Sequence, residues 1–433
     1  MGRGKKQIIM DANTKMRYRL ALAIAIVAAC IGIVWCYLWQ LESRLPKSMI
    51  LYQDRMEQID LGLPLVGEIK AEPGGFLVNG NQRSEAEAVS FSLDHKISLK
   101  ADRVGSYQAD LKLFGLIPYK KMQVDVIQEQ KVMPSGSAVG IYLESQGIMV
   151  LGTTEVRGKD GFIHHPTQDI LQEGDYLLSV NNHPAESIQK VTDLIQENRD
   201  RKITVELQRG NNRIKVKVEP VCSDEGIYQI GAWLREDTEG IGTMTCVTEN
   251  NHFVALGHGI TDVDTGELIH LSQGGLYPAS IQRIIAGRKG TPGELFGSVV
   301  LSEEQKLGNV TENNIWGISG KMEHDAYQYQ EDKGIPIALK QEIQTGAASI
   351  LCQLDNGVRE YQIKIEEINL SAKDLKGLVL QVTDPELKKK TGGIVQGLSG
   401  SPILQNGKLI GAVTHVFVND PTRGYGIFIE HML

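Results

Sequence analysis

The stretch LALAIAIVAACIGIVWCYLW, from Leu20 to Trp39, runs for twenty residues without a charge. At a helical rise of about 1.5 Å per residue it matches the hydrocarbon core of a bilayer, roughly 30 Å thick. It therefore reads as a membrane span. Before it stand six basic residues (Arg3, Lys5, Lys6, Lys15, Arg17 and Arg19) and one acidic residue, Asp11. That flank favours a cytoplasmic N-terminus, 1–19, and the aromatic cluster Trp35, Tyr37 and Trp39 suits the far interface. A cleavable signal peptide is the rival reading, but the run is long and QLESRLP behind it lacks a small-x-small site, which favours an uncleaved anchor over 20–39. A buried core helix would also be apolar, yet twenty uninterrupted residues beside a basic tail argue against one.

An anchor of this orientation places everything from about Gln40 outside the cytoplasm. Of the chain's 45 basic and 53 acidic residues, 39 and 52 lie beyond Arg19, so this part is acidic and unsuited to a nucleic-acid partner. Cys222, Cys246 and Cys352 are an odd number outside the span and make no evident disulfide framework. No CxxC or Cys/His cluster has ligand spacing, so neither a metal nor another cofactor is expected.

The 433 residues exceed one ordinary core and imply two to three domains. Residues 48–130 alternate apolar and polar positions between Pro73-Gly74-Gly75 and Pro118, as a small β domain does. In 132–220, the segments GIYLES, GIMVLGTTEV, DYLLSVNN, KITVELQRG and RIKVKVE read as short strands. Between them Ile188, Val191, Leu194 and Ile195 share one helical face behind a Ser187 cap. Small strands, one amphipathic helix and LQEGDYLLSVNN resemble a PDZ domain. In that family an extended peptide end pairs with an open strand edge and its carboxylate meets the amides of a glycine loop. The counterpart here is Val139-Gly140-Ile141. A PDZ fold used only for packing or inhibition is an equal alternative. From 224 to 433 the chain is strand-rich and glycine-rich, which points to an all-β barrel or paired barrels. The whole is mainly β.

A serine becomes a nucleophile when a base takes its proton and an oxyanion site stands nearby. Among ten histidines, only His258 in HFVALGHGI ends an apolar run between glycines. Such a placement leaves an imidazole at a strand end, although a turn histidine is more often structural. His415, in VTHV, reads as a strand residue near the site. The serine candidate is Ser399 in GLSGSP. Its surroundings miss the G-x-S-x-G elbow, and Pro402 with Asn406-Gly407 leads to a hairpin instead of a helix, so an α/β-hydrolase is disfavoured. Gly-x-Ser-Gly-x-Pro followed by two strands resembles the nucleophile turn of chymotrypsin-like peptidases, where the amides of Gly397 and Ser399 would hold the oxyanion. Ser401 is the competing nucleophile, restricted by the proline after it. For the carboxylate, Asp384 in VTDPEL lies fifteen residues before Ser399, with Asp262, Asp264 and Asp374 as alternatives. Asp384 could equally be a turn residue before Pro385.

Taken with the anchor and the PDZ-like block, LGHGI, VTDPEL, GGIVQGLSGSPILQNGKLIGAVTHVFVNDP and GYGIFIE resemble the SpoIVB family, the stage IV sporulation serine peptidases of endospore-forming bacteria. The resemblance implies a chymotrypsin-like peptidase domain with His258 as base, Asp384 as orienter and Ser399 as nucleophile. It also implies a forespore membrane location with the bulk of the chain in the intermembrane space, self-cleavage, and cutting of a regulatory subunit that restrains an intramembrane protease, so that a pro-sigma factor is processed. Two other readings stand beside it. One is a non-catalytic secreted PDZ adaptor with a dead peptidase domain. The other is an HtrA-like quality-control protease, disfavoured because those carry the PDZ domain after the protease.

Overall fold

The computed structural model describes residues 12–46, 48–70, 76–78, 88–199, 201–325, 328–355, 357–372 and 374–433. The tail before Ala12 and the Pro73-Gly74-Gly75 punctuation lie outside them. Helix α1 (Ala12–Arg44) contains the apolar run, and Arg19–Arg44 is long and apolar enough to cross a membrane. Trp35 and Trp39 stand 74% and 68% exposed, so no protein surface covers this face. An apolar helix left bare needs an apolar solvent, which suggests a single-pass or signal anchor.

The chain divides into two compact units, 1–128 with 369–371, and 129–368 with 372–433. In the first, a five-stranded sheet and a three-stranded sheet enclose Met49, Leu51, Leu65, Phe91, Leu99 and Val124. Leu41 and Leu45, at and just beyond the last turn of α1, join that core, so the apolar helix runs straight into the small β domain.

The second unit opens with β1 (Lys131–Pro134) and β2 (Ala138–Thr153), followed by β3 (Tyr176–Val180), α2 (Ile188–Glu197), β4 (Ile203–Arg209) and β5 (Asn212–Val218). The later half of β2 pairs with β3, β3 with β4, and β4 with β5. Ser187 caps α2, its hydroxyl accepting the Lys190 amide at 3.0 Å. The helix buries Val191, Leu194 and Ile195, the face that its periodicity predicts. With Ile148, Leu177, Ile203 and Val205 they form the core of the PDZ-like module.

Strand β6 (Ala232–Thr248) is seventeen residues long and joins this module to the rest. Its start pairs with Met149–Thr153 and its middle with Ala138–Glu144, both on β2. Strands β7 (His252–Ala255), β8 (Leu271–Ile285), β9 (Gly308–Asn314) and β10 (Gly317–Met322) extend this sheet around Val139, Ile141, Met244, Phe253 and Leu276. Residues 132–144, expected to begin the PDZ domain, are thus strands of this first β lobe. Alternation identifies a strand but not its partners, and here the partners are β6 and β8.

The second lobe contains β11 (Gly346–Asp355), β12 (Gly357–Ile368), β13 (Leu378–Val382), α3 (Pro385–Thr391), β14 (Pro402–Gln405), β15 (Lys408–Phe417) and β16 (Asp420–Phe428). Its strands close into a six-stranded barrel in the order β11-β12-β13-β16-β15-β14. Closure removes every free edge and leaves the connections to carry chemistry. One of them, between α3 and β14, holds Ser399.

Candidate active site

The nucleophile turn is pinned through five successive carbonyls. Gln396 O accepts from Leu295 N at 2.9 Å, Leu398 O from Ser401 N at 3.0 Å, and Ser399 O from Thr243 N at 3.0 Å. Gly397 O accepts from the Thr243 hydroxyl at 2.8 Å and Gly400 O from the Thr245 hydroxyl at 2.7 Å. Gly397 and Gly400 have φ of 97° and 94°, the left-handed region where a side chain is strained. Because a trans peptide points its N–H opposite to its C=O, holding the Gln396 and Leu398 carbonyls aims the Gly397 and Ser399 amides the other way. Neither amide has an acceptor among the described residues. Two aimed, unpaired donors flanking a serine are what an oxyanion requires.

The Ser399 hydroxyl itself donates to Thr414 O at 2.6 Å. The competing Ser401 is fully buried, and its hydroxyl has no partner among the described residues. Burial keeps it from any substrate.

His258 follows β7 across a tight turn in which Leu256 and Gly257 both have φ of 70°. Gly257 N donates to Ala255 O at 2.9 Å, two residues back, a rare and strained γ-turn. Val413 O lies 3.3 Å and the Thr414 methyl 3.2 Å from where a Gly257 side chain would begin, which sets the His258 turn against the segment that also receives Ser399. His258 Nδ1 lies 3.0 Å from Gly259 O and so carries the proton, leaving Nε2 as the free acceptor. Burial holds the imidazole below its ordinary value of 6.5, opposed by the Gly259 carbonyl. A neutral ring near neutral pH is the form a general base needs. The His415 ring is 5.0 Å from that of His258, tilted by 40°. Burial, then His258, then Lys376 lower its value as well.

Asp384, expected as the orienter, makes no hydrogen bond to His258 in this structure. Its Oδ1 accepts from Glu386 N at 2.8 Å and Leu387 N at 3.1 Å, and its Oδ2 from Gln362 N at 3.3 Å. It is the N-cap of α3, with Pro385 at the first helical position, and such a cap uses the lone pairs that an imidazole would need. Its field falls instead on Cys352, whose thiol is pushed up to about 12, first by burial and then by this carboxylate. The alternatives are committed as well. Asp262, 1% exposed, pairs with Arg235 and accepts from Asp264 N at 3.0 Å and Thr265 N at 2.9 Å. Asp264 meets Arg235 at 2.6 Å, and Asp374 accepts from Lys376 N at 3.1 Å.

Val139, Gly140 and Ile141, expected as the peptide-end site, stand in mid-sheet. These residues pair with Gly242, Ile241 and Gly240 on one side and with Pro278, Tyr277 and Leu276 on the other. A strand paired on both edges has no amides left for a carboxylate. The glycine turn beside α2 is instead Ile230-Gly231-Ala232, with Gly231 at φ 64° and Tyr228 bonded to Gln196 of that helix. Among the described residues no three His, Cys, Asp or Glu side chains converge as metal ligands. Sequence reasoning missed Thr243, Thr414 and Arg235. The one local signal was the pair of threonines in GTMTCV, polar residues in the 242–247 part of the strand, which is buried.

A barrel-borne serine with a glycine-built oxyanion turn bonds Thr414, the residue against which the turn of a strand-end histidine also packs; with a PDZ-like module beside them, these features define a serine peptidase. Residues 226–433 match the SpoIVB peptidase S55 family, and residues 169–209 match the PDZ domain. Residues 226–433 are thus a SpoIVB-type serine peptidase domain, preceded by a PDZ domain. Two solved structures share a likeness with the PDZ part. They are the PDZ domains of SdrC-like proteins from Listeria monocytogenes (20% identity, TM-score 0.17, covering 21% of this chain and 87% of that one) and Listeria innocua (19%, 0.18, 21% and 94%). None of the curated proteins compared with the chain matches it.

Proposed function

We propose that this peptidase is a membrane-anchored endopeptidase in which Ser399 attacks the scissile carbonyl and His258 takes its proton. The amides of Gly397 and Ser399 receive the developing oxyanion. The observation that carries this reading is the pair of unpaired amides aimed from one rigid turn around the serine. His258 Nε2 accepts the Ser399 proton and then returns it to the leaving amine, after which water hydrolyses the acyl-enzyme. Gly259 O, accepting from Nδ1, orients the ring in the place a carboxylate often takes. In the resting arrangement the Ser399 hydroxyl is held by Thr414 O, so a rotation about χ1 precedes attack.

The match to the SpoIVB peptidase family and the apolar N-terminal helix support a wider reading. The chain sits in the forespore membrane by its N-terminal helix, with its bulk in the intermembrane space. There it cleaves itself and a regulatory subunit that restrains an intramembrane protease, which leads to processing of a pro-sigma factor. The experiment is to place the full chain in lipid vesicles and follow fragments over time, alone and with the regulatory subunit. Parent protein yields discrete fragments, while Ser399→Ala and His258→Ala stay whole. Fragments appearing at the parental rate in either variant would show that this site does not do the cutting.

A further inference from the structure

Thr243 lies on β6, outside both site turns, and is 2% exposed. Its three polar atoms reach three separate points of the site. The amide donates to Ser399 O at 3.0 Å, and the hydroxyl donates to Gly397 O at 2.8 Å. Its carbonyl accepts from Leu256 N at 3.2 Å, two residues before His258. One residue therefore holds the carbonyls of both residues whose amides form the oxyanion pair, and also the turn that presents the base. Gly242 and Gly400 make this approach possible, because a side chain on either would collide with Leu256 or with the Thr243 backbone.

We propose that Thr243 is a positioning residue of this peptidase: its hydroxyl fixes the Gly397 carbonyl, and its backbone fixes Ser399 against the His258 turn, so that oxyanion donors, nucleophile and base keep one geometry. This rests on the assignment of Ser399 and the Gly397 and Ser399 amides made above. The β6 ladder does not use the hydroxyl, and Val in place of Thr keeps the branched shape while removing only the donor.

The test measures phosphonylation of the full chain in detergent micelles by a fluorophosphonate probe, recording the limiting rate and the half-saturating probe concentration. Thr243→Val lowers the limiting rate about 10- to 100-fold with the half-saturating concentration unchanged, a smaller loss than the 10²–10³ typical of deleting an oxyanion donor outright. Thr243→Ser, which keeps the hydroxyl and drops the methyl, stays within about threefold of the parent by the same reasoning. If Val reacts as fast as the parent, or Ser is as impaired as Val, the role is one of packing and the proposal falls. Should Val fail to fold, Thr243→Ser against Thr243→Ala repeats the comparison with the methyl absent from both, and equal rates overturn the proposal. Locating the probe by peptide mapping separates the two levels. Label on a residue other than Ser399 overturns the site itself, whereas label on Ser399 with unchanged rates overturns only Thr243.

Discussion

The two turns that make the site are built in opposite ways. The Ser399 turn is cross-linked to its surroundings, with five successive carbonyls held from β6, from Leu295 and from within the turn. The His258 turn folds on itself through consecutive left-handed residues, and its ring is bonded only to the next carbonyl. Its outside ties are one bond to Thr243, the pair that Asn313 makes with the amide and carbonyl of Ile260 two residues on, and the Arg235–Asp262 pair four residues on. An oxyanion site gains from preorganisation, since donors already aimed need no rearrangement as charge develops. A base must swing between nucleophile and leaving group, so a turn with few ties serves it.

The largest effect expected from this contrast is loss of chemistry at either turn's functional atom. Ser399→Ala and His258→Ala each lower hydrolysis by about 10⁴-fold or more, since members of such a unit fail together. The double variant is no worse than either single one. An additive double loss, measured as initial rates on a fluorescent casein, would break the pairing of the two turns.

The next effect concerns the His258 turn alone. Arg235→Ala leaves Asp262 charged at 1% exposure, while Arg235 itself was already 33% exposed. The expected loss is about 2 kcal/mol, below the 3–5 typical when one partner of a fully buried pair is removed. Asp264→Ala, which deletes the exposed partner, costs under about 0.5 kcal/mol. Thermal unfolding of both variants checks the ranking, and equal shifts would show that Asp262 does not anchor the turn.

Acid titration sharpens the same comparison. Burial places the folded His258 value below 6.5, so the neutral base persists as pH falls past the ordinary midpoint. The acid limb of kcat/KM therefore lies below 6.5. Over that window the unfolded chain takes up a proton that the buried ring refuses, so stability falls as pH drops from about 6.5 toward the folded value. An acid limb above 6.5 would require a carboxylate partner, whereas His258 bonds only the Gly259 carbonyl here.

Much of this was legible in the amino acids because it is local. The anchor, the α2 face and the glycine-framed Ser399 and His258 depend on periodicity or on nearest neighbours. What depends on distant partners was not legible. Val139-Gly140-Ile141 has the composition of a carboxylate loop, and only its pairing with β6 and β8 makes it a mid-sheet strand. Thr243 is one threonine in an ordinary strand until the Ser399 turn folds onto it, about 150 residues later in the chain. VTDPEL was readable in two ways, as an orienter or as a turn before Pro385, and neither named what Asp384 is here, the cap of a helix with proline at its first position.

That ambiguity leaves the smallest expected effect, which is also the most discriminating. As the N-cap of α3, Asp384 donates no charge to the chemistry. Asn caps a helix about as well as Asp, so Asp384→Asn should keep hydrolysis within a fewfold of the parent. Asp384→Ala, which loses the cap, costs about 1 kcal/mol of stability and loosens the helix that leads into the Ser399 turn. An orienter behaves in the reverse way: Asp to Asn holds the geometry but presents the wrong hydrogen-bond partner to the imidazole, and the rate drops about 10⁴-fold. If Asn is as inactive as that, the working enzyme must rebuild the loop before α3 to carry Asp384 to His258, and the cap seen here is the resting form. If Asn is active and Ala is merely less stable, the working pair is Ser399 and His258 with a backbone carbonyl behind it.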